Sequence, residues 1–149
     1  MVYEQLKKLG ITLSQPAPAG VYEPVKTCGN MVFTSGMIPM KDGKALHLGK
    51  VGAEVSLEQA QECAKLCVAN ILSALDNHLG DLNRIKSIIK ITGFVQSAEH
   101  FNSQPGVMNA ASQLLIDIFG EKGKHTRSAV GVFELPLNVP VEVELIAEI

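Results

Sequence analysis

The chain of 149 residues has no tryptophan, few aromatic residues of any kind and no large excess of charge of either sign. Aromatic residues make up 5%, which leaves few surfaces on which the bases of single-stranded nucleic acid could stack. The formal net charge is -2, so no overall attraction draws the chain to nucleic acid or to an anionic membrane. The composition therefore argues against nucleic acid as a partner.

No apolar run reaches the length of a membrane span, and the first residues lack the basic-then-apolar order of a secretion signal. These absences predict a cytoplasmic protein that does not enter a membrane. The three cysteines, Cys28, Cys63 and Cys67, fit a reducing compartment as free thiols. Cys63 and Cys67 lie one helical turn apart, but no second Cys/His pair completes a tetrahedral site, so no metal is expected.

Two catalytic signatures are missing as well. No glycine-rich loop has the spacing that cradles phosphates, and Ser35 lacks the Gly-x-Ser-x-Gly setting of a nucleophile. No internal repeat or linker interrupts the sequence, which predicts one domain over residues 1–149. Hydrophobic residues reach 46%, and this surplus predicts that an apolar surface is covered in an oligomer.

Local patterns predict an α+β fold, with two helices covering one face of a mixed sheet. A long helix begins after Ser56, which forms a capping-box pattern with Gln59, and ends at Gly80. A short helix over residues 4–10 comes first, and a third over 106–119 ends at Gly120. The Pro- and Ala-rich residues 16–20 are predicted to form an extended segment that leads into the first strand, and a tight turn is expected at 41–44. The predicted strands cover residues 21–28, 31–35, 85–95, 127–135 and 141–149.

The last two predicted strands carry the strongest indication of chemistry. Arg127 is at the start of the strand predicted over 127–135, and Glu142 and Glu144 share one face of the strand predicted over 141–149. A guanidinium can hold two oxygens of a carboxylate or phosphate at once, and a nearby glutamate can position or activate water. The pattern predicts a small anionic ligand and hydrolysis. The alternatives are that Arg127 is a structural ion-pair partner of these glutamates and that Glu142 belongs to a solvated face.

Six segments follow one another between about Val21 and the C-terminus: GNMVFTSG (29–36), TGFV (92–95), MNA (108–110), RSAV (127–130), LP (135–136) and VEVE (141–144). In the order and spacing of these segments, the sequence resembles the RidA/YjgF family, also called L-PSP endoribonuclease-like, and within it a longer subgroup of about this length. The resemblance begins at about Val21, so residues 1–20 are expected to be an N-terminal extension.

The resemblance implies a chorismate-mutase-like fold and a homotrimer with ligand clefts between subunits. It also implies hydrolysis of reactive 2-imino and 2-enamino acids to 2-oxo acids and ammonia, with no cofactor. Arg127 would clamp the substrate carboxylate and Glu142 would orient the attacking water. The other residues that the resemblance places at the pocket are Tyr22, Ser35, Gly36, Asn109 and the main chain of Ala129.

Two positions depart from the family pattern. Deaminating members usually have a cysteine two residues after the arginine, where this chain has Ala129, and Met37 stands where the family often has glutamine. These differences keep open a second hypothesis, a non-catalytic trimer that binds a small carboxylated metabolite. An endoribonuclease, suggested by the family's other label, is the third, and the acidic balance and scarce aromatics count against it.

Overall fold

The computed structural model describes residues 1–15 and 20–149, so most of the predicted Pro- and Ala-rich lead-in, residues 16–19, lies outside the described residues. Within the described part, no helix has both the length and the apolar character that crossing a membrane requires. The helices and strands are, in chain order, α1 (Val2–Lys8), β1 (Val25–Cys28), β2 (Met31–Thr34), β3 (Met40–Lys41), β4 (Lys44–Ala45), α2 (Leu57–Leu79), β5 (Ser87–Gln96), α3 (Gln104–Phe119), β6 (Thr126–Val132) and β7 (Val141–Glu148).

Five strands form one mixed sheet in the order β1-β2-β7-β5-β6. Every neighbouring pair is antiparallel except β5 and β6, which run parallel. The chain passes from β5 to β6 through α3, because parallel neighbours need a crossover of this kind. The α+β fold with a mixed sheet is therefore confirmed, and β6 is an edge strand. The short β3 and β4 pair with each other around the predicted turn at Asp42 and Gly43.

Helices α2 and α3 pack on each other and on one side of the sheet, which we call the helix face. In β7, Val141, Val143, Leu145 and Ala147 are buried beneath them, whereas the alternate residues Glu142, Glu144, Ile146 and Glu148 are only partly covered. This second side is the open face. The third helix, α1, contacts α3 rather than the sheet. Alternation along β7 thus separates an apolar core from a face that one chain leaves uncovered.

The N-terminus of α2 has the capping box predicted from its sequence. The Ser56 hydroxyl accepts a hydrogen bond from the Gln59 amide at 3.1 Å, and the Gln59 side chain accepts one from the Ser56 amide at 3.0 Å. At the other end Gly80 adopts φ 77°, a left-handed conformation that glycine enters without steric cost. Both predicted ends of the helix are confirmed.

Replacing Ser56 with alanine should lower the free energy of unfolding by about 1 kcal/mol, because the Gln59 N–H in the first turn of α2 loses its acceptor. Urea unfolding at fixed protein concentration measures this change. Ser103→Ala is the matched control, since Ser103 precedes α3 without a side-chain capping bond and should change little. Equal destabilisation by the two variants would contradict the capping argument.

Two predicted strands extend three or more residues beyond the strands of the structure. The first begins at Val25 rather than at residue 21, because β2 ends at Thr34 and offers no ladder beyond it. Tyr22 therefore lies in an irregular segment and is 56% exposed, not on a strand. β6 ends at Val132 rather than 135, and the Leu135 amide donates instead to the Gln96 side chain.

Candidate active site on two faces of the sheet

The predicted site residues separate into two clusters on opposite faces of the sheet. Arg127 pairs in register with Ile91, which is buried on the helix face. Glu142 pairs with Phe94 and alternates with the buried residues of β7, so it points to the open face. Because the sheet stands between them, Arg127 and Glu142 of one chain cannot touch the same small ligand.

The helix-face cluster is centred on Arg127. Its Nη1 donates to Asn109 Oδ1 at 2.9 Å and to Ser112 Oγ at 3.1 Å, both from α3. No carboxylate of the described residues lies within 4.0 Å of the guanidinium. The structural ion pair with Glu142 or Glu144, the alternative raised by the sequence, is therefore absent from this chain.

These two contacts leave one edge of the guanidinium available. Nη1 carries two hydrogens, and Asn109 and Ser112 accept one each. Nε and Nη2 have no hydrogen-bond acceptor among the described residues. They lie on the same edge of the planar group, and this edge can bind both oxygens of a carboxylate. Both groups that accept from the arginine are neutral, so its positive charge is available to attract an anionic ligand.

Close packing of α3 brings this cluster together. Ala129 on β6 pairs with Gly93 on β5, and a Cβ at Gly93 would overlap the buried side chain of Met108. The missing side chain lets α3 approach the sheet, so Asn109, the next helical residue, reaches Arg127 beside the β6 edge. Ala129 itself is partly buried against the core. Arg127, Asn109 and Ala129 thus belong to one cluster on the helix face.

The open-face cluster contains Glu142, Gly36 and Ser35. A Cβ at Gly36 would overlap Glu142 Oε1, so glycine at this position makes room for the carboxylate. The Ser35 hydroxyl donates to the Glu23 carbonyl at 2.7 Å, which places the segment next to Tyr22 beside this cluster. Burial raises the pKa of the Glu142 carboxyl, and the nearby Glu144 raises it further. A half-buried carboxylate with a raised pKa is a stronger base than a solvated one.

Glu142→Gln should change how stability depends on pH. A carboxyl whose pKa is raised in the folded state binds its proton more tightly there, so ionisation opposes folding. The parent should therefore lose stability relative to the variant as pH rises from about 4, the unfolded value, until Glu142 is fully ionised. Urea unfolding of both proteins across this range measures the difference. A difference that is constant with pH would contradict the raised pKa.

Gly36→Ala should reduce any turnover that depends on Glu142 and should change stability little. The new methyl group forces the flexible end of the Glu142 side chain to move, while no backbone atom stands in its way. Displacing a catalytic group by about 1 Å is enough for a loss of up to 100-fold. Steady-state kinetics and thermal unfolding measured together check this. Gly106→Ala is the control variant, because a Cβ added at Gly106 makes only ordinary van der Waals contacts and should leave the turnover unchanged.

The sequence reasoning missed Ser112 and assigned no role to His125. His125 Nε2 lies 2.9 Å from Ser112 Oγ, and His125 Nδ1 lies 2.6 Å from the Gly123 carbonyl oxygen. Ser112 follows Asn109 by three residues, so a helical projection of α3 would have placed the two on one face. The contact with His125 has no comparable signal, because it depends on how α3 meets the turn before β6.

Two concavities of the single chain lie away from both clusters. One is formed by the N-terminal residues between Tyr3 and Leu13, and another lies between the β3–β4 hairpin and Leu66. Neither is lined by a predicted site residue. Within residues 1–15 and 20–149, no group of three or more His, Cys, Asp or Glu side chains is arranged to hold a metal ion.

Sequence comparison places this arrangement among known proteins. The sequence profile of the family described as YjgF/chorismate mutase-like, "putative endoribonuclease", matches residues 4–149. Protein TCP17 of Trypanosoma cruzi is 37% identical over 99% of this chain and 94% of its own length. The "Putative reactive intermediate deaminase TdcF" of Escherichia coli K12 is 32% identical over 95% of this chain and 97% of its own.

Solved structures agree with the sequence matches. The structure of Atu1372 from Agrobacterium tumefaciens, a protein of unknown function, is 43% identical and superimposes with a TM-score of 0.92. The match covers 99% of this chain and 92% of that one. Escherichia coli TdcF with bound serine superimposes with a TM-score of 0.63 at 26% identity, over 91% of this chain and 93% of its own. The sheet and helices described above are therefore shared with these proteins.

Proposed function

We propose, from the premise that this chain belongs to the YjgF/chorismate mutase-like family, also called RidA/YjgF, that it hydrolyses small 2-imino and 2-enamino acids to 2-oxo acids and ammonia. The observation that carries this proposal is the free Nε–Nη2 edge of Arg127. Neutral partners bind Nη1 of this arginine, and no acid of the described residues pairs with the guanidinium. Such an edge suits the carboxylate that all these substrates have in common.

The relatives support the same substrate class. TdcF is named for deamination of reactive intermediates, and its solved structure holds serine, whose carboxylate and nitrogen share one carbon. A 2-imino acid has the same arrangement, with a double bond between that carbon and the nitrogen. The ligand of TdcF thus has the shape and charge that the Arg127 edge would recognise.

In the proposed assembly, a homotrimer, the cleft is shared by two chains. Arg127 and Glu142 lie on opposite faces of one sheet, so they meet only if the helix-face cluster of one chain approaches the open-face cluster of another. Two surfaces favour this contact. The open face exposes Phe33 by 42% and Val130 by 44%, and no strand of residues 1–15 and 20–149 pairs with the outer edge of β6. Natural proteins usually cover both kinds of surface.

The chemistry follows from the two clusters. Arg127 would bind the carboxylate and fix the C=N carbon near Glu142 of the neighbouring chain. Glu142 would take a proton from water as the water oxygen attacks this carbon, and the C=N double bond becomes a single bond to nitrogen. Return of this proton to nitrogen gives a carbinolamine, which carries both a hydroxyl and an amino group. Glu142 would then move the hydroxyl proton to the same nitrogen, and ammonia leaves as the C=O bond forms. The imine carbon is electrophilic by itself, so no cofactor is part of the proposal.

The test generates iminopyruvate or 2-iminobutanoate with a pyridoxal-phosphate enzyme and follows ammonia release with and without this protein. Release faster than the spontaneous rate is the expected result. If release is not accelerated but 2-oxo acids raise the melting temperature, the protein is the non-catalytic binder that Ala129 and Met37 keep open. Salt-sensitive RNA cleavage that disappears in Arg127→Ala would favour the ribonuclease.

A further inference from the structure

Four groups at the helix-face cluster form a continuous row of hydrogen bonds. Arg127 Nη1 lies 3.1 Å from Ser112 Oγ, Ser112 Oγ lies 2.9 Å from His125 Nε2, and His125 Nδ1 lies 2.6 Å from the Gly123 carbonyl oxygen. The row begins at a group that can only donate and ends at one that can only accept. Its direction is therefore fixed when the His125 ring is neutral.

The direction determines the tautomer of His125. A carbonyl oxygen accepts but never donates, so His125 Nδ1 must carry the hydrogen in its bond to Gly123. In the neutral ring Nε2 is then the acceptor, and the Ser112 hydroxyl must donate to it. A lone pair of Ser112 Oγ remains for Arg127 Nη1. Each group in the row thus holds the next in one orientation.

The same reasoning sets the orientation of Asn109. Its Oδ1 accepts from Arg127, so its amide Nδ2 points away from the guanidinium, and it has no acceptor among the described residues. Asn109 is exposed at the surface that Arg127 reaches. The groups left for a ligand are the Nε–Nη2 edge of Arg127 and the Nδ2 of Asn109, all of which are donors. A ligand group made only of acceptors, such as a carboxylate, satisfies this surface.

We propose that Ser112 and His125 are positioning residues for Arg127: they anchor Nη1 through a one-directional row of hydrogen bonds and so present a donor-only surface to the substrate carboxylate. This inference rests on the proposed function for the identity of the ligand. The row itself does not depend on it, because its direction follows from Gly123 and Arg127 alone. Neither residue touches the substrate in this account.

The first measurement tests the row without any ligand. Nitrogen-15 spectra of the histidine rings, recorded where His125 is neutral, should show hydrogen on Nδ1 of His125. The exposed His100, whose side chain is 89% accessible, supplies an internal comparison and should show the form usual in water, with hydrogen on Nε2. Hydrogen on Nε2 of His125 would overturn the inference, because the row would then run the other way.

The second measurement tests the positioning role by titrating pyruvate, a stable 2-oxo acid. Ser112→Ala removes one anchor of a charged donor and should weaken binding about tenfold, whereas Ser112→Thr keeps the hydroxyl and should stay within about twofold of the parent. His125→Gln, which can retain an acceptor near the Nε2 position, should bind better than His125→Ala. Ser103→Ala, at the residue that precedes the same helix, is the control.

The outcomes separate this inference from the proposed function. If the parent binds pyruvate and Ser112→Ala binds it equally well, the positioning role is overturned while the proposed function stands. If the parent binds no 2-oxo acid and does not speed imine hydrolysis, the proposed function fails, and the role of the row in ligand binding fails with it. The tautomer of His125 still decides whether the row exists.

Discussion

Arg127→Ala should weaken the binding of 2-oxo acids by roughly two orders of magnitude and reduce imine hydrolysis at least as much. The reason is that the Nε–Nη2 edge provides two charge-assisted hydrogen bonds, and no other arginine lies near to replace them. Calorimetric titration with pyruvate and the ammonia assay measure the two effects. The fold should be retained, because Arg127 is partly exposed and its partners Asn109 and Ser112 remain accessible to water.

The chain offers a matched control for this variant. Arg84 is the only other arginine in the sequence, and it donates to the Leu79 carbonyl at 2.8 Å, away from β6. Arg84→Ala should leave pyruvate binding unchanged. Arg127→Lys keeps the charge but loses the planar edge, so its affinity should lie between those of Arg127→Ala and the parent. If Arg127→Lys binds pyruvate as tightly as the parent, the hypothesis that Arg127 clamps the carboxylate is wrong.

Two inactive variants should restore each other when they assemble together. Glu142→Gln and Arg127→Ala remove groups from opposite faces of the sheet, so a cleft shared by two chains can still combine an intact Arg127 with an intact Glu142. In a trimer of cyclic symmetry each mixed particle would contain one such cleft, giving about one third of the parental turnover. Co-expression with two different affinity tags isolates the mixed particles, and the ammonia assay measures their activity.

The control is the same two-tag preparation made from Arg127→Ala alone, in which every cleft lacks the arginine and turnover should stay at the background rate. Light scattering of the parent gives the number of chains in the particle and tests the trimer directly. No recovery in mixed particles, together with normal assembly, would mean that Arg127 and Glu142 do not act on one substrate. The shared cleft would then have to be abandoned.

Local features of the fold could be predicted from the sequence because they depend on neighbouring residues alone. The capping box at Ser56 and Gln59 and the left-handed Gly80 involve groups within one turn of helix, so residue type and spacing suffice. Alternation along β7 likewise follows from the two-residue period of a strand, and Val141 and Glu142 lie on opposite sides as that period requires.

The position of Tyr22 shows where such reasoning stops. A strand over residues 21–28 is compatible with the residue types, but a strand also needs a partner, and β2 ends at Thr34. The Ser35 amide still donates to the Pro24 carbonyl at 2.8 Å and its hydroxyl donates to the Glu23 carbonyl at 2.7 Å, but no residue before Val25 pairs with β2 as a strand. The residue at which β1 begins is thus decided by contacts between segments that are about ten residues apart.

The sequence by itself determined the residue chemistry, the ends of the long helix α2, the alternating faces of the last strand and the family to which the chain belongs. Only the tertiary structure decided that Arg127 and Glu142 stand on opposite faces of one sheet and that Ser112 and His125 hold the arginine. The physical reason is the distance along the chain between the residues that determine each feature. Caps and strand alternation depend on neighbours along the chain, whereas the face that a side chain occupies, and what it meets there, depends on the pairing of distant strands and the close approach of α3.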